Sequence, residues 1–136
     1  MRAQVFVAVV LASALAGCAT TKNDSTGIPT IDPAEASKLL DKDTSVVFLD
    51  VRSTKEFTSE TGHLHGALLI PVDSLETRLP ELEQQKSRTI ITYCRSGVRS
   101  ARAQKILSGH GFRSLSMAGG ILRWNSEHLP VVKEQP

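Results

Sequence analysis

Short apolar runs alternate with amphipathic stretches along most of the chain. Residues 46–49 (VVFL) and 88–93 (RTIITY) are continuous runs rich in apolar and β-branched side chains, which are typical of buried parallel strands. Residues 67–70 and 112–117 predict two further short strands. Because strands that alternate with helices form a parallel sheet covered on both faces, the pattern predicts an α/β domain with three layers, α/β/α.

Capping residues and glycine or proline stops mark the helices between these strands. Asp32 and Pro33 form an N-cap and first-turn pair, and Ser53 with Glu56 forms a capping box. The predicted helices are residues 33–40, a segment that opens at Ser53, a segment from Asp73 that Pro80 ends or restarts, residues from about 98 to 109, and residues 120–127.

The predicted strand at residues 88–93 is followed at once by a thiol, Cys94, and then by a helical pattern. In such a strand, loop and helix, the loop amides and first-turn N–H groups point at one spot that the helix dipole makes positive. Arg95 and Arg99 add two cations. An anion is favoured there, so Cys94 is predicted to react as a thiolate nucleophile near neutral pH. The alternative is a buried, inert cysteine beside a solvated helix start.

Asp50 and Arg52 come just after the predicted strand at residues 46–49. Ligands of parallel sheets bind at the carboxyl ends of the strands. We therefore expect Asp50 and Arg52 to lie at the same edge of the sheet as the loop that begins at Cys94, which is called the Cys94 loop below.

The first residues have a different composition from the rest of the chain. Arg2 is the only charged residue in 1–17, and residues 5–16 are apolar except for Ser13. This run has about the length of a signal h-region and is shorter than the roughly 20 residues that span a bilayer. Residues 1–17 are therefore predicted to be a signal peptide.

Residues 15–18 (LAGC) resemble the lipobox of bacterial lipoproteins. In that motif the cysteine, here Cys18, receives a diacylglyceryl group and becomes the mature N-terminus. Ala19 in the next position resembles sorting to the outer membrane, so we expect a lipid-anchored protein of the bacterial cell envelope that faces the periplasm. Residues 18–27 are small and polar, which predicts a flexible tether. The alternative is ordinary cleavage after Ala16 or Ala19, which gives a soluble periplasmic protein.

Charge and cysteine content narrow the function classes. Sixteen basic residues stand against fourteen acidic ones, and no basic patch with interleaved aromatic residues occurs, so no nucleic-acid partner is expected. The two cysteines are Cys18 and Cys94. With lipid on Cys18, Cys94 has no internal disulfide partner, which argues against a dithiol oxidoreductase.

His63 and His65 lack a third ligand at suitable spacing, so we expect no metal.

Residues 94–99 (CRSGVR) resemble the active-site loop of the rhodanese (sulfurtransferase) family, in which a cysteine opens a six-residue loop that wraps around its sulfur. Other segments agree with this family in the right order: LDVR at 49–52, EF at 56–57, GHLHGA at 62–67, GG at 119–120, Trp124, and LPV at 129–131. Residues 28–133 are thus identified as a rhodanese-like domain with a central parallel sheet. The chain departs from the family at His65, where proline is frequent, and at His128, where glycine is common.

The resemblance implies a double displacement through Cys94 without a cofactor. The thiolate takes the outer sulfur of a small anionic donor, such as thiosulfate or a polysulfide, and a thiol or cyanide acceptor removes it. Two arginines and a ring of loop N–H groups suit a doubly charged donor. In the family the segment of Asp50 and Arg52 mostly fixes loops near the site, and whether these two contact substrate stays open. The residues implied to bind substrate are Arg95, Ser96, Gly97, Val98 and Arg99.

Two other function classes are open. A cysteine phosphatase or arsenate reductase of related architecture needs a loop one residue longer, whereas here Arg99 closes the loop and Ser100 follows. A non-catalytic lipoprotein domain that only binds a partner usually lacks the cysteine, which this chain keeps. Both comparisons favour sulfur transfer.

Overall fold

The computed structural model describes residues 21–133, and the predicted signal peptide, Cys18 and the first residues of the tether lie outside this range. Within it, no helix combines the length and the hydropathy that a membrane crossing requires.

Between residues 21 and 133, one six-stranded sheet forms the middle layer of the domain. Its strands are β1 (Lys22–Asn23), β2 (Pro29–Ile31), β3 (Val46–Asp50), β4 (Leu68–Leu69), β5 (Thr89–Tyr93) and β6 (Arg113–Met117), in the spatial order β1-β2-β6-β5-β3-β4. Neighbouring strands run parallel from β2 to β4, and β1 pairs antiparallel with β2. This confirms the predicted parallel sheet and the four strands that the sequence pattern placed in it.

Four of the five helices lie between successive strands and the last follows β6, as the sequence predicts. They are α1 (Pro33–Leu39), α2 (Thr54–Phe57), α3 (Leu75–Arg78), α4 (Val98–Gly109) and α5 (Gly120–Ser126). The capping box that opens α2 is confirmed, because Ser53 accepts from the Glu56 amide while the Glu56 carboxylate accepts from the Ser53 amide.

The segment around α3 is more divided than one helix. A 3-10 turn at Val72–Ser74 precedes α3, and a longer 3-10 segment at Leu79–Gln85 follows it. Pro80 lies in the first turn of the second 3-10 segment, where its missing N–H costs no hydrogen bond. Of the two outcomes predicted for Pro80, the helical path restarts.

Alternating side chains of the central strands supply two apolar cores. Val47, Leu49 and Ile90 belong to the core shared with α3 and α4. Phe48 and Ile91 belong to the core shared with α1 and α5 on the opposite face. Successive residues of a strand point to opposite faces, so each central strand contributes to both cores. The three-layer α/β/α architecture is thereby confirmed.

The closing segment is anchored by Trp124, which is fully buried in the second core and donates its indole N–H to the Pro130 carbonyl at 3.0 Å. Trp124 therefore serves as an apolar core anchor for α5 and the residues after it. His128, just beyond α5, has a φ of 55°. This left-handed conformation is unstrained for glycine, which explains why glycine is common at this position in the family.

The N-terminal part of the described chain contains a pairing that the sequence pattern does not reveal. The pattern predicts no regular element before Pro33, whereas the structure has two strands there, β1 and β2, which pair through Lys22 and Thr30. The turn between them is closed by the Asp24 carboxylate, which accepts from the amides of Thr26 at 2.8 Å and Ile28 at 2.9 Å. Backbone pairing and an Asx turn stabilise this segment, and neither requires apolar side chains.

Candidate active site

Two parallel strands bring the predicted site residues to one edge of the sheet. Asp50 at the end of β3 is in register with Tyr93 at the end of β5. The pairing continues one step further, because the Val51 amide donates to the Tyr93 carbonyl at 3.0 Å. The structure therefore places the Asp50–Arg52 segment and the Cys94 loop side by side.

The loop after β5 turns back on the sulfur of Cys94. Gly97 has a φ of 107°, which a residue with a Cβ adopts only under strain. In this conformation the Gly97 amide donates to Cys94 Sγ at 3.1 Å, and α4 begins at the next residue, Val98. The sulfur thus faces a backbone donor at the N-terminus of a twelve-residue helix, where the helix dipole favours negative charge.

The start of α5 supports the Cys94 loop from behind. The amides of Ile121 and Leu122 donate to the carbonyls of Cys94 and Arg95 at 2.8 and 3.1 Å. A Cβ on Gly120 would overlap the same two carbonyl oxygens. The backbone of α5 therefore approaches the loop as closely as glycine alone permits.

Two hydroxyl groups that the sequence analysis did not single out lie beneath the sulfur. Ser100 Oγ is 3.7 Å from Cys94 Sγ and 2.9 Å from Ser116 Oγ, and it donates to the Gly97 carbonyl at 3.0 Å. Ser100 and Ser116 are both buried. Their helical and strand patterns give no signal for this contact, which depends on how α4 packs on β6.

Cys94 itself is 1% exposed, while Arg95 and Ser96 are exposed and Val98 is 77% exposed. The sulfur lies at the base of the site and the loop forms its rim. Burial alone also fits the alternative of an inert core cysteine. The Gly97 amide on Sγ argues against that alternative, because an apolar core offers a thiol no such donor.

A cleft of about 430 Å³ adjoins the loop on the side of the N-terminal segment. Ser96 and Val98 line it on the loop side, and Thr26 and Ile28 line it on the opposite side. The turn between β1 and β2 therefore borders the candidate site, a role that its polar sequence does not indicate.

The two arginines of the loop have different surroundings. Arg95 is exposed, and within residues 21–133 no acidic side chain pairs with it. Arg99 instead donates from Nη1 and Nη2 to the two carboxylate oxygens of Glu56, at 2.8 and 2.6 Å. Arg99, together with Ser53, lowers the pKa of Glu56 to about 2, so Glu56 is ionised at neutral pH. The sequence pattern identified Glu56 as a helix cap and did not reveal its second partner.

Asp50 and Arg52 form a buried ion pair next to the loop. Arg52 Nη2 donates to the Asp50 carboxylate at 2.6 Å and to the Gly62 carbonyl at 2.8 Å, and Nη1 donates to the Thr61 hydroxyl at 2.9 Å. Both charged side chains are almost completely buried. The pair joins the end of β3 to the loop at residues 61–62, and these contacts occupy the Arg52 guanidinium.

The two histidines of the loop before β4 have separate partners. His63 stacks on Phe57 with 3.7 Å between the ring centroids, and its Nδ1 lies 3.0 Å from the Phe57 carbonyl. His65 is exposed and its Nδ1 lies 2.8 Å from the Asp41 carboxylate. Within the described residues, no three potential ligands converge as a metal site.

Comparison with known proteins places this site in a family. The rhodanese-like domain family matches residues 32–127. A sulfurtransferase of Allochromatium vinosum is 34% identical over 103 residues, which are 75% of this chain and 92% of that protein. The crystal structure of a rhodanese-related protein from Thermoplasma volcanium is similar with a TM-score of 0.69 at 30% identity, over 77% of this chain and 98% of the other.

Longer relatives contain a similar segment. The tRNA uridine(34) hydroxylase of Cronobacter sakazakii is 33% identical over 107 residues, which are 72% of this chain. The match covers 30% of that relative's length, so the likeness concerns a part of a longer protein. The family match extends over most of the described sheet and helices and includes the Cys94 loop. The chain belongs to the family of rhodanese-like domains.

Proposed function

We propose that this protein is a sulfurtransferase that moves a sulfane sulfur from a small anionic donor through a persulfide on Cys94. The observation that carries the proposal is the Gly97 amide, which donates to Cys94 Sγ at the N-terminus of α4. A backbone donor and a helix dipole stabilise a thiolate before the reaction and a terminal persulfide sulfur after it. No cofactor enters the scheme.

In the first half-reaction the Cys94 thiolate attacks the outer sulfur of thiosulfate. A new S–S bond forms, the S–S bond of the donor breaks, and sulfite leaves with its electron pair. The total charge is unchanged, because the thiolate charge passes to the terminal persulfide sulfur and sulfite carries two negative charges. The exposed Arg95 cation and the Gly97 amide on Sγ favour such a dianion.

In the second half-reaction an acceptor removes the terminal sulfur. Cyanide attacks it to give thiocyanate, or a thiolate attacks it to give a new persulfide, and the electron pair of the breaking S–S bond returns to Cys94. The cleft beside Ser96 and Val98 gives an acceptor a route to the loop. The sulfurtransferase of Allochromatium vinosum, which the chain matches over 92% of its length, supports this reaction class.

The experiment is to measure the mass of the purified domain before and after addition of thiosulfate. We expect the gain of one sulfur atom, its loss on adding cyanide, and an equal amount of thiocyanate. Cys94→Ser is the control, since a hydroxyl is nearly isosteric but much less nucleophilic, and it should gain no sulfur. Sulfur uptake by the serine variant would move the nucleophile elsewhere. A wild-type protein that takes up no sulfur from thiosulfate or polysulfide would favour a non-catalytic binding domain.

We also propose that a diacylglyceryl group on Cys18 anchors the protein in the bacterial cell envelope, on the outer membrane and facing the periplasm. The support is the LAGC motif after an apolar run of signal-peptide length. Expression with a radiolabelled fatty acid tests the anchor: wild type should carry the label in the membrane fraction, and Cys18→Ser should not. Unlabelled wild-type protein in the soluble periplasmic fraction would instead indicate ordinary signal cleavage.

A further inference from the structure

Glu56 and Arg99 are 43 residues apart in the chain and form a two-pronged ion pair beside the Cys94 loop. Glu56 lies in α2 and Arg99 in the first turn of α4. The guanidinium is bidentate: Nη1 donates to Glu56 Oε2 at 2.8 Å and Nη2 donates to Glu56 Oε1 at 2.6 Å. The pair therefore joins α2 to the helix that begins at the candidate site.

Glu56 is held in place for this contact. Its Oε2 accepts from the Ser53 amide at 3.1 Å and from the Ser53 hydroxyl at 3.0 Å, in addition to Arg99. The capping box thus holds the Glu56 carboxylate in place independently of its contact with Arg99. Pairing Arg99 with a carboxylate that is already fixed costs less conformational entropy than pairing it with a mobile one.

The Nη1 and Nη2 N–H groups that Arg99 donates to Glu56 are the same groups with which an arginine binds an oxyanion. A guanidinium holds carboxylates, phosphates and sulfonate-like groups through the same two parallel N–H bonds. Arg99 follows two residues after Gly97, whose amide donates to Cys94 Sγ, and the pKa of Arg99 is raised by Glu56 and less strongly by Cys94. A donor at Cys94 and the Glu56 carboxylate would therefore use the same part of Arg99.

The Arg99–Glu56 ion pair is exposed enough for an anionic ligand to displace the Glu56 carboxylate from Arg99. The side chains of Arg99 and Glu56 are 37% and 30% exposed, so solvent screens the pair and its net contribution to stability is small. The buried pair of Arg52 and Asp50 offers no such opportunity, because both of its side chains are shielded from solvent.

We propose that Glu56 is a specificity-determining residue that competes with oxyanion sulfur donors for Arg99. This inference rests on the proposed sulfurtransferase function. A donor such as thiosulfate gains the Arg99 contact only by displacing the Glu56 carboxylate. A donor whose charge is carried by sulfur, such as a polysulfide, uses the loop amides and leaves the pair closed. The ion pair therefore disfavours oxyanion donors relative to sulfur-centred ones.

The first test is the binding of sulfate, an unreactive oxyanion, followed by the amide resonances of the ¹⁵N-labelled protein. Glu56→Gln removes the charge and keeps the cap, because glutamine also closes a capping box. We expect its dissociation constant for sulfate to fall by about threefold or more, with loop residues Ser96 and Gly97 reporting the change. Glu60→Gln is the matched control: Glu60 is exposed on the turn after α2, and among the described residues no ion pair includes it. Unchanged or weaker sulfate binding in Glu56→Gln would overturn the inference, as would equal tightening in Glu60→Gln.

The second test separates the two half-reactions. In Glu56→Gln, kcat/KM for thiosulfate should rise by a similar factor, while kcat/KM for the neutral acceptor 2-mercaptoethanol should stay unchanged. An equal rise for both substrates would contradict competition for Arg99. If wild type transfers no sulfur from any donor, the proposed function fails, and the sulfate titration still decides whether Glu56 and an oxyanion compete.

Discussion

Ser100 and Ser116 meet directly beneath the sulfur of Cys94, with 2.9 Å between their hydroxyl oxygens. Ser100 Oγ is 3.7 Å from Cys94 Sγ, and both serines are buried. Buried hydroxyls in an apolar core are costly unless they are hydrogen-bonded, and this pair satisfies itself and the Gly97 carbonyl. Through Ser100, the pair gives Sγ a buried polar neighbour.

We expect Ser100→Ala to slow persulfide formation by about tenfold, or roughly 1.4 kcal/mol, because once Cys94 ionises the Ser100 proton can turn from the Gly97 carbonyl to Sγ and form one buried hydrogen bond to a charged group. Ser114→Ala is the control, since the Ser114 hydroxyl is buried on β6, the strand of Ser116, but donates to the Gln104 carbonyl. The free energy of unfolding should fall by a similar amount in both variants, whereas persulfide formation should slow only in Ser100→Ala. Single-turnover sulfur uptake, followed by mass, makes the measurement. Equal slowing in both variants would assign Ser100 a purely structural role.

The Asp50–Arg52 pair is expected to be the most sensitive charged contact for stability. Asp50→Asn leaves the Arg52 charge buried without its partner, which should cost about 3 to 5 kcal/mol in the free energy of unfolding. Asp73→Asn serves as the comparison, because Asp73 pairs with Arg102 while 86% exposed and should cost less than about 0.5 kcal/mol. Urea unfolding of the two variants gives both values. Similar small losses would mean that the buried pair contributes little to the fold.

The contact between α5 and the Cys94 loop predicts a difference between two glycines that share a positive φ. Gly120 has a φ of 59° and Gly111 a φ of 83°, so alanine at either position carries backbone strain of about 1 kcal/mol. A Cβ at Gly111 meets open space, whereas one at Gly120 overlaps the carbonyls of Cys94 and Arg95. We expect Gly120→Ala to reduce sulfur uptake by about tenfold or more, since the loop must move, and Gly111→Ala to retain it. Full uptake by a folded Gly120→Ala protein would show that the loop tolerates the displacement.

The sheet and the position of Cys94 at its edge could be predicted from local sequence, because both depend on features within a few residues. The runs at 46–49 and 88–93 are buried on both faces and therefore lack alternation, and the thiol follows the second run at the carboxyl end of a parallel strand. The capping box at Ser53 was equally visible, since its two partners are three residues apart.

The missing parts depend on tertiary packing or on backbone pairing. Glu56 has a sufficient local role as a cap, so nothing in its neighbourhood indicates the contact with Arg99. In the sequence, Ser100 and Ser116 are simply polar residues within a helix and a strand. Their contact arises only from the packing of α4 on β6. The short strand β1 has no apolar pattern, because main-chain bonds and the Asp24 turn hold it.

The depressed pKa of Glu56 predicts a pH dependence of stability. Its value of about 2, against an ordinary 4.5, means that the unfolded chain takes up the proton first as the pH falls. The stabilisation is therefore complete above about pH 4.5 and is lost as the pH falls towards 2. Because Arg99 is 37% exposed, solvent screening limits the effect to about 1 kcal/mol or less. The difference in unfolding free energy between wild type and Glu56→Gln should shrink between pH 5 and pH 2, and a constant difference would contradict the shift.

Arg99 and Glu56 together give the last prediction, which concerns the donor. Arg99→Ala removes a cation beside the Cys94 loop and leaves the Glu56 carboxylate without its partner, so the variant should repel a dianionic donor for both reasons. We expect kcat/KM for thiosulfate to fall by about tenfold or more, an energy of roughly 1.4 kcal/mol, while kcat/KM for 2-mercaptoethanol changes little. Adding Glu56→Gln to Arg99→Ala should recover part of the loss, because the unpaired negative charge is removed. Steady-state kinetics of the four proteins of this cycle provides the measurement. An equal loss for donor and acceptor in Arg99→Ala, or no recovery in the double variant, would show that Arg99 supports the loop and takes no part in attracting the donor.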